Sequence, residues 1–295
     1  MLALDDSAAW ADLLRRDAAA FAAERANHGS DARPSLRAVD LAGLDLRAAR
    51  LAGCDLSDAD LTGARADGRQ LSRARLAGTK LDGVEVDEFW IPLLGQITTL
   101  WRGADAWNQL RAADVRPAIF DSVDFSGADL GHADLSDMIF TSGRFDGADL
   151  SRCRLDLASF RGASLISARL TKLRAFATRF HEATLTRAVF DGANLERVAF
   201  TRADLGDASL IDIEALGGEW DRLHAIGARF DRARLRETIL TDSDLSRASF
   251  RGARLDDCHV RGVRFDGACF DDSDLTRTDL ARAHTIGASF TRTRR

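Results

Sequence analysis

Apolar residues return at every fifth position over most of the chain. From Phe120 to Phe290 these positions hold Leu, Phe, Val or Trp, the exceptions being Ala175, Ala215, Ala225 and Thr285. Two residues ahead of each runs a second column of small residues, among them Ala128, Ala133, Ala148 and Ala163. The unit is Ala, then a short polar residue or Arg, then Leu or Phe, then two variable residues, as in Ala128-Asp129-Leu130-Gly131-His132. The same spacing runs from Leu36 to Val86 in an adjacent register, through Leu41, Leu46, Leu51, Leu56, Leu61, Leu71, Leu76 and Leu81. A period of five matches neither the 3.6 of a helix nor the 2 of a strand. It fits a chain that turns a corner every five residues, with the repeat centre and the residue two before it facing inward.

Four such sides make a coil of 20 residues, and the aromatic residues support that number independently. Phe120, Phe140, Phe160, Phe180 and Phe200 fall 20 apart and are followed by Trp220; Phe230, Phe250, Phe270 and Phe290 repeat the interval on another side. Residues 20 apart would lie one strand spacing apart, ~4.8 Å, so their rings would stack. Volume is traded between the two inward columns. Leu173 accompanies Ala175, Ile213 accompanies Ala215 and Leu223 accompanies Ala225, while Gly218 precedes Trp220. Close-packed interiors demand such compensation. A coil of this kind gains its core only from stacked neighbours, as in other repeat architectures.

These repeats resemble the pentapeptide-repeat family over residues 34–86 and 117–293. The resemblance implies an all-β fold, a right-handed quadrilateral β-helix. It also implies a class of partner, because some members of that family bind DNA gyrase and topoisomerase IV by resembling duplex DNA and shield them from quinolone-like poisons. One scaffold carries unrelated roles, so the fold alone does not choose among them.

Four segments are expected: residues 1–33 as an N-terminal helical cap, 34–86 as the first part of the β-helix, 87–116 as an interruption, and 117–295 as its main part. Ser7 to His28 reads as one helix with Trp10, Leu13, Leu14, Ala18 and Phe21 on a stripe, capped by Asp6 or Ser7 and followed by Gly29. A helix there would cover the unpaired edge of a solenoid. In the interruption, Ile97, Leu100, Trp101 and Ala104 have helical spacing, which predicts a helix over about 97–112. The rival reading keeps the coils running through it. Trp90, Trp101 and Trp107 are either a partner-binding arm or packing against one wall.

Composition narrows the chemistry. The chain has 295 residues, is 45% hydrophobic and 29% charged, and carries a formal charge of −5, which supports a buried core and argues against nucleic-acid binding through a basic surface. No apolar run is long enough to span a membrane, and the first ten residues lack a basic-then-apolar leader, so a cytoplasmic protein is expected. Cys54, Cys153 and Cys258 occupy the inward small column, leaving Cys269 outward with no adjacent histidine. His224 and His284 stand three coils apart, ~14 Å, too far to share a metal. No nucleotide-binding, metalloprotease or nucleophile-elbow motif is present. The expectation is a protein that is not an enzyme, with no catalytic residues, no metal and no cofactor.

Candidate contact residues remain. Asp121, Asp124, Asp129, Asp134, Asp137, Asp146 and Asp149 form a local acidic excess against Arg144 alone, although no side of the coil is strongly negative along its length. The plain reading of these aspartates is a solvated outer wall. Phe176 and Leu216 share an outward column with Leu157 on the same side, as a contact patch, unless Phe176 turns inward beside Ala175. The expected function is non-catalytic protein binding through the outer faces and the 87–116 excursion, with no direct nucleic-acid or membrane contact. The alternative is topoisomerase protection.

Overall fold

The computed structural model describes residues 2–29, 32–113 and 119–295. The expected boundary at 116/117, with Pro117 and Ala118, lies outside them. The chain divides into two compact units, Met1–Leu110 with Ser122–Ser126, and Arg111–Asp121 with Gly127–Arg295.

The second unit is built from 20-residue coils. Parallel bridges link the residue before each repeat centre to its counterpart one coil on, as in Asp129 to Asp149, Asp149 to Arg169 and Arg169 to Val189. Two hydrogen bonds define the step. The Leu150 N–H donates forward to the Arg169 carbonyl (2.7 Å), and the Arg169 N–H donates back to the Ala148 carbonyl (2.9 Å). Each five-residue side spends most of its length turning, so nearly every side contributes a single bridged residue. Among the described residues only β1 (Glu214–Leu216) and β2 (Arg234–Arg236) lengthen into a parallel strand pair. Among the described residues the β-structure is therefore sparse strands and many isolated bridges.

Both inward columns are buried as the spacing predicts as far as Leu275, and are half-buried in the last coil, from Thr278 to Phe290. Phe120, Phe140, Phe160, Phe180 and Phe200 have no accessible surface, and their rings stack at 5.0–5.2 Å with tilts of 9–25°. Trp220 ends that ladder edge-on to Phe200 at 81°. Phe230, Phe250, Phe270 and Phe290 form the second ladder at 4.9–5.1 Å, tilted by at most 5°. Leu173, Ile213 and Leu223 are buried beside the shrunken centres Ala175, Ala215 and Ala225.

The turns show what the spacing leaves unsaid. The second residue after many centres has positive φ, and glycine holds only some of those positions; Arg152 (φ 58°), Lys172 (φ 55°), Asp137 (φ 63°) and Asp212 (φ 57°) are among the others. That conformation costs about 1 kcal/mol for a residue with a Cβ.

In the first unit, the single helix expected over Ser7–His28 is two helices, α1 (Ser7–Arg16) and α2 (Ala18–Asn27). Asp17 is extended (φ −159°, ψ 105°), and its carboxylate accepts from Ala19 N and Ala20 N, so it ends one helix and caps the next. The break folds α2 back on α1 and brings Trp10 and Phe21, both fully buried, to 5.2 Å edge-to-face. The helices reach the first coil through polar atoms. Leu4 O accepts from Ser35 N (2.9 Å), Arg15 Nη2 donates to Asp40 O (3.0 Å), and Arg25 donates to Arg50 O and Ala52 O.

Between Ala66 and Leu76 one corner is replaced by α3 (Gly68–Ser72), capped by Asp67, with Leu71 still buried. After Val86 the chain leaves the coil in a 3₁₀ turn (Glu88–Trp90), α4 (Ile91–Trp101) and α5 (Ala104–Ala112). The helical alternative is thus the observed one, but as two helices broken at Gly103, whose φ is 103°. Pro92 in the first turn of α4 and the glycine after it follow the usual start and stop chemistry. No helix among the described residues is long and apolar enough to cross a membrane.

Candidate interaction surface

The seven aspartates are structural before they are anything else. Asp129, Asp134 and Asp149 each use Oδ1 to accept the N–H two residues on, from Gly131 (3.2 Å), Ser136 (3.1 Å) and Ser151 (2.9 Å), and so hold their own turns. Asp146 reaches to the next coil, accepting Ile166 N (3.1 Å) and the Ser164 hydroxyl, with Arg144 at 3.0 Å. Burial raises the carboxyl of Asp134, but the Ser136 hydroxyl and N–H and the Arg154 charge outweigh it and leave that group below the usual range. Asp149 shows the same balance with Ser151 and Arg169. Asp124 lies in the first unit, buried, with Arg33 Nη1 at 2.8 Å and Ser126 N at 3.0 Å. Asp121 and Asp137 are exposed. Asp124 is thus buried in an ion pair, and Asp129, Asp134, Asp146 and Asp149 each have an oxygen committed to backbone or hydroxyl donors.

Two tryptophans of the excursion, Trp90 and Trp101, pack back on their own unit, and the third is buried. Trp107 has no accessible surface. Trp101 lies 5.6 Å from the Phe125 ring, and the Arg75 guanidinium lies over it at 5.6 Å. Trp90 lies against Gly68, where a Cβ would come within 2.3 Å of its Cγ. The exposed apolar residues of the excursion are instead Phe89, 78% accessible, and Ile91, 55%. Their signal in the sequence was only that they flank Trp90 outside the helical stripe.

On the second unit Phe176 faces outward and half-buried, because Ala175 holds the inward centre. Its N–H donates to Asp156 Oδ1 (3.0 Å) and the Arg197 guanidinium sits 6.0 Å from its ring. Leu157 and Leu216 are exposed. Leu216 ends β1, opposite Arg236, and Phe176 and Leu216 are separated by the coil that carries Glu196.

Charges on the wall pair from coil to coil. Arg232 grips Asp212, Arg277 grips Asp257 and Arg292 grips Asp272 through two nitrogens each, at 2.5–2.8 Å. Each pair spans 20 residues, so an arginine follows the acid on the same corner and no continuous acidic stripe forms along it. Burial pushes the thiols of Cys54, Cys153 and Cys258 up to about 12, which leaves them without thiolate at neutral pH. Among the described residues no group of three His, Cys, Asp or Glu side chains could hold a metal.

The sequence profile of pentapeptide repeats matches in eight copies, over residues 35–68, 118–156, 144–174, 178–212 and 228–267. No curated protein matches the sequence significantly. Among solved structures, one similar chain is HetL, a pentapeptide-repeat protein involved in heterocyst differentiation regulation in the cyanobacterium Nostoc sp. strain PCC 7120. It is 20% identical with 92% of each chain covered and a TM-score of 0.30. Another is QnrB1, a plasmid-mediated fluoroquinolone resistance protein, 12% identical over 60% of this chain and 84% of that one, with a TM-score of 0.31. A third is a pentapeptide-repeat protein of the Arabidopsis thaliana thylakoid lumen, 23% identical over 48% of this chain and 66% of that one, with a TM-score of 0.13.

Proposed function

The chain belongs to the pentapeptide-repeat family, whose members fold as right-handed β-helices, and on that premise we propose that it is a non-catalytic scaffold that binds a protein partner through its outer wall and its 87–116 excursion. The observation that carries this reading is the exposure of Phe89 and Ile91 where the chain leaves the coil. Solvent-exposed aromatic and branched side chains held on a helix-anchored turn suit burial by a partner. The helices α1 and α2 act, in the same reading, as a cap. Leu4, Arg15 and Arg25 offer the first coil an acceptor and donors of the kind a preceding coil would supply. Buried thiols and turn-holding carboxylates favour recognition over chemistry.

The experiment is affinity capture from cells with intact protein and with a Phe89→Ser, Ile91→Ser double variant. Loss of a specific partner from the variant, at an unchanged unfolding midpoint, supports the excursion as contact surface. Equal recovery removes it.

The topoisomerase reading draws on the resemblance alone. Duplex DNA carries a charge every ~1.7 Å, whereas the paired corner Asp212–Arg232 and Asp272–Arg292 alternates in sign. A gyrase supercoiling assay with and without a quinolone decides it. Neither inhibition nor rescue at micromolar protein would end that reading.

A further inference from the structure

We propose that the stretch from Leu150 to Phe180 is a docking surface for an acidic segment of a partner protein that carries apolar side chains, an inference that rests on the scaffold reading and names its contact chemistry. In a chain of net charge −5, this stretch holds seven Arg or Lys and a single acid, Asp156. Part of that charge is spent. Arg154 Nε and Arg174 Nε both hold Asp156 Oδ2, at 3.1 and 3.2 Å, while Arg154 and Arg169 also face Asp134 and Asp149 at 3.7 Å. Arg152, Lys172 and Arg179 are exposed and have no carboxylate within 4 Å among the described residues. Arg152 and Lys172 occupy the same positive-φ corner on successive coils, one strand spacing apart at ~4.8 Å.

The apolar component lies on the adjoining side. Leu157 is 49% exposed, its N–H donates to the Phe176 carbonyl (2.8 Å), and Phe176 sits half-exposed under Arg197. Two cations without an acidic partner on one side, with an exposed Leu157 and a half-buried Phe176 on the next, complement a short segment bearing both carboxylates and an apolar anchor. A nucleic acid fits less well. Asp129, Asp134 and Asp137 occupy the coil immediately before, so a phosphate backbone longer than two coils would run onto them.

The test is fluorescence anisotropy of the full-length protein with a labelled peptide of about twelve residues rich in Glu and containing Leu and Phe, matching the few coils available. An equally charged peptide lacking apolar residues and a single-stranded oligonucleotide serve as the other probes. The acidic apolar peptide should bind, and an Arg152→Glu, Lys172→Glu variant should weaken it about tenfold, as should raising salt severalfold. Glu182 and Glu237 already occupy this positive-φ position elsewhere, so the variant should keep its unfolding midpoint. A Leu157→Ser, Phe176→Ser variant should weaken the apolar peptide about tenfold and leave the purely acidic one unchanged. The proposal is overturned by no binding, by binding indifferent to the charge reversal, or by tighter binding of the oligonucleotide. If no peptide binds while the Phe89 and Ile91 variant still loses its captured partner, the scaffold reading stands and this surface is not its contact.

Discussion

The indole of Trp220 fills the place that a side chain at Gly218 would take: a Cβ there would lie 2.4 Å from Trp220 Nε1 and 3.0 Å from Cδ1. The ring is fully buried and donates to the Val198 carbonyl at 3.1 Å, so it cannot move away without losing a buried hydrogen bond. Gly218→Ala should therefore destabilise the protein by about 1–3 kcal/mol through overpacking. Shrinking the neighbour should offset it: the alanine should cost less in a Trp220→Leu background, and a double-mutant cycle by denaturant unfolding should show non-additivity. Additive effects would mean that the two positions do not share space.

The four cysteines report which columns face inward. Cys153 Sγ donates to Leu130 O and Cys258 Sγ to Leu235 O, across to the preceding coil, and burial holds both thiols and that of Cys54 at about 12. Cys269, on the outer wall, is only half-buried. A thiol reagent at neutral pH should label one cysteine in the native protein, at Cys269 by peptide mapping, and four after denaturation. Native labelling at Cys153 would contradict the assignment of its column.

Acid should weaken the fold in a defined window. Asp60 sits at about 2 because the Thr62 hydroxyl and N–H and Lys80 hold its charged form, and Asp271 sits at about 2 through the Ser289 hydroxyl and the Thr291 N–H. Arg232, Arg277 and Arg292 likewise hold Asp212, Asp257 and Asp272 below the ordinary value. Each folded-state value lies below that of the unfolded chain, so the stabilisation is complete above about pH 5, begins to fall as the unfolded carboxylates titrate near 4, and is lost as pH falls toward 2. The thermal midpoint should be flat from neutrality to about pH 5 and drop below it, with a shallower drop in high salt because these groups are exposed. A midpoint that rises on acidification would contradict the pairing.

The inward columns were legible because a tight interior admits no charge at the repeat centres. Even the exceptions spoke, since Leu173 beside Ala175 and Gly218 beside Trp220 make sense only inside a tight wall. The breaks were less legible. The apolar stripe continues through Ala18 and Phe21, so it hides the stop at Asp17, which is a matter of one carboxylate and two N–H groups. Leu71 keeps the spacing across α3, so periodicity cannot tell that helix from a corner. The candidate surface was the least legible part. Residue type names an aspartate, but only the turn geometry shows that Asp129 and Asp149 spend an oxygen on their own backbone, and only packing shows that Trp107 is buried while Phe89 is not.

The division between a filled interior and a skin free to bind is tested most directly by one pair of neighbours. Phe160 lies in the stacked ladder between Phe140 and Phe180, and Arg161 stands next to it on the outer wall, facing Glu182 at 3.5 Å. Denaturant unfolding should show Phe160→Ala losing about 3–5 kcal/mol and Arg161→Ala staying within about 0.5–1 kcal/mol of the parent. Equal losses at the two positions, or a larger one at Arg161, would contradict it.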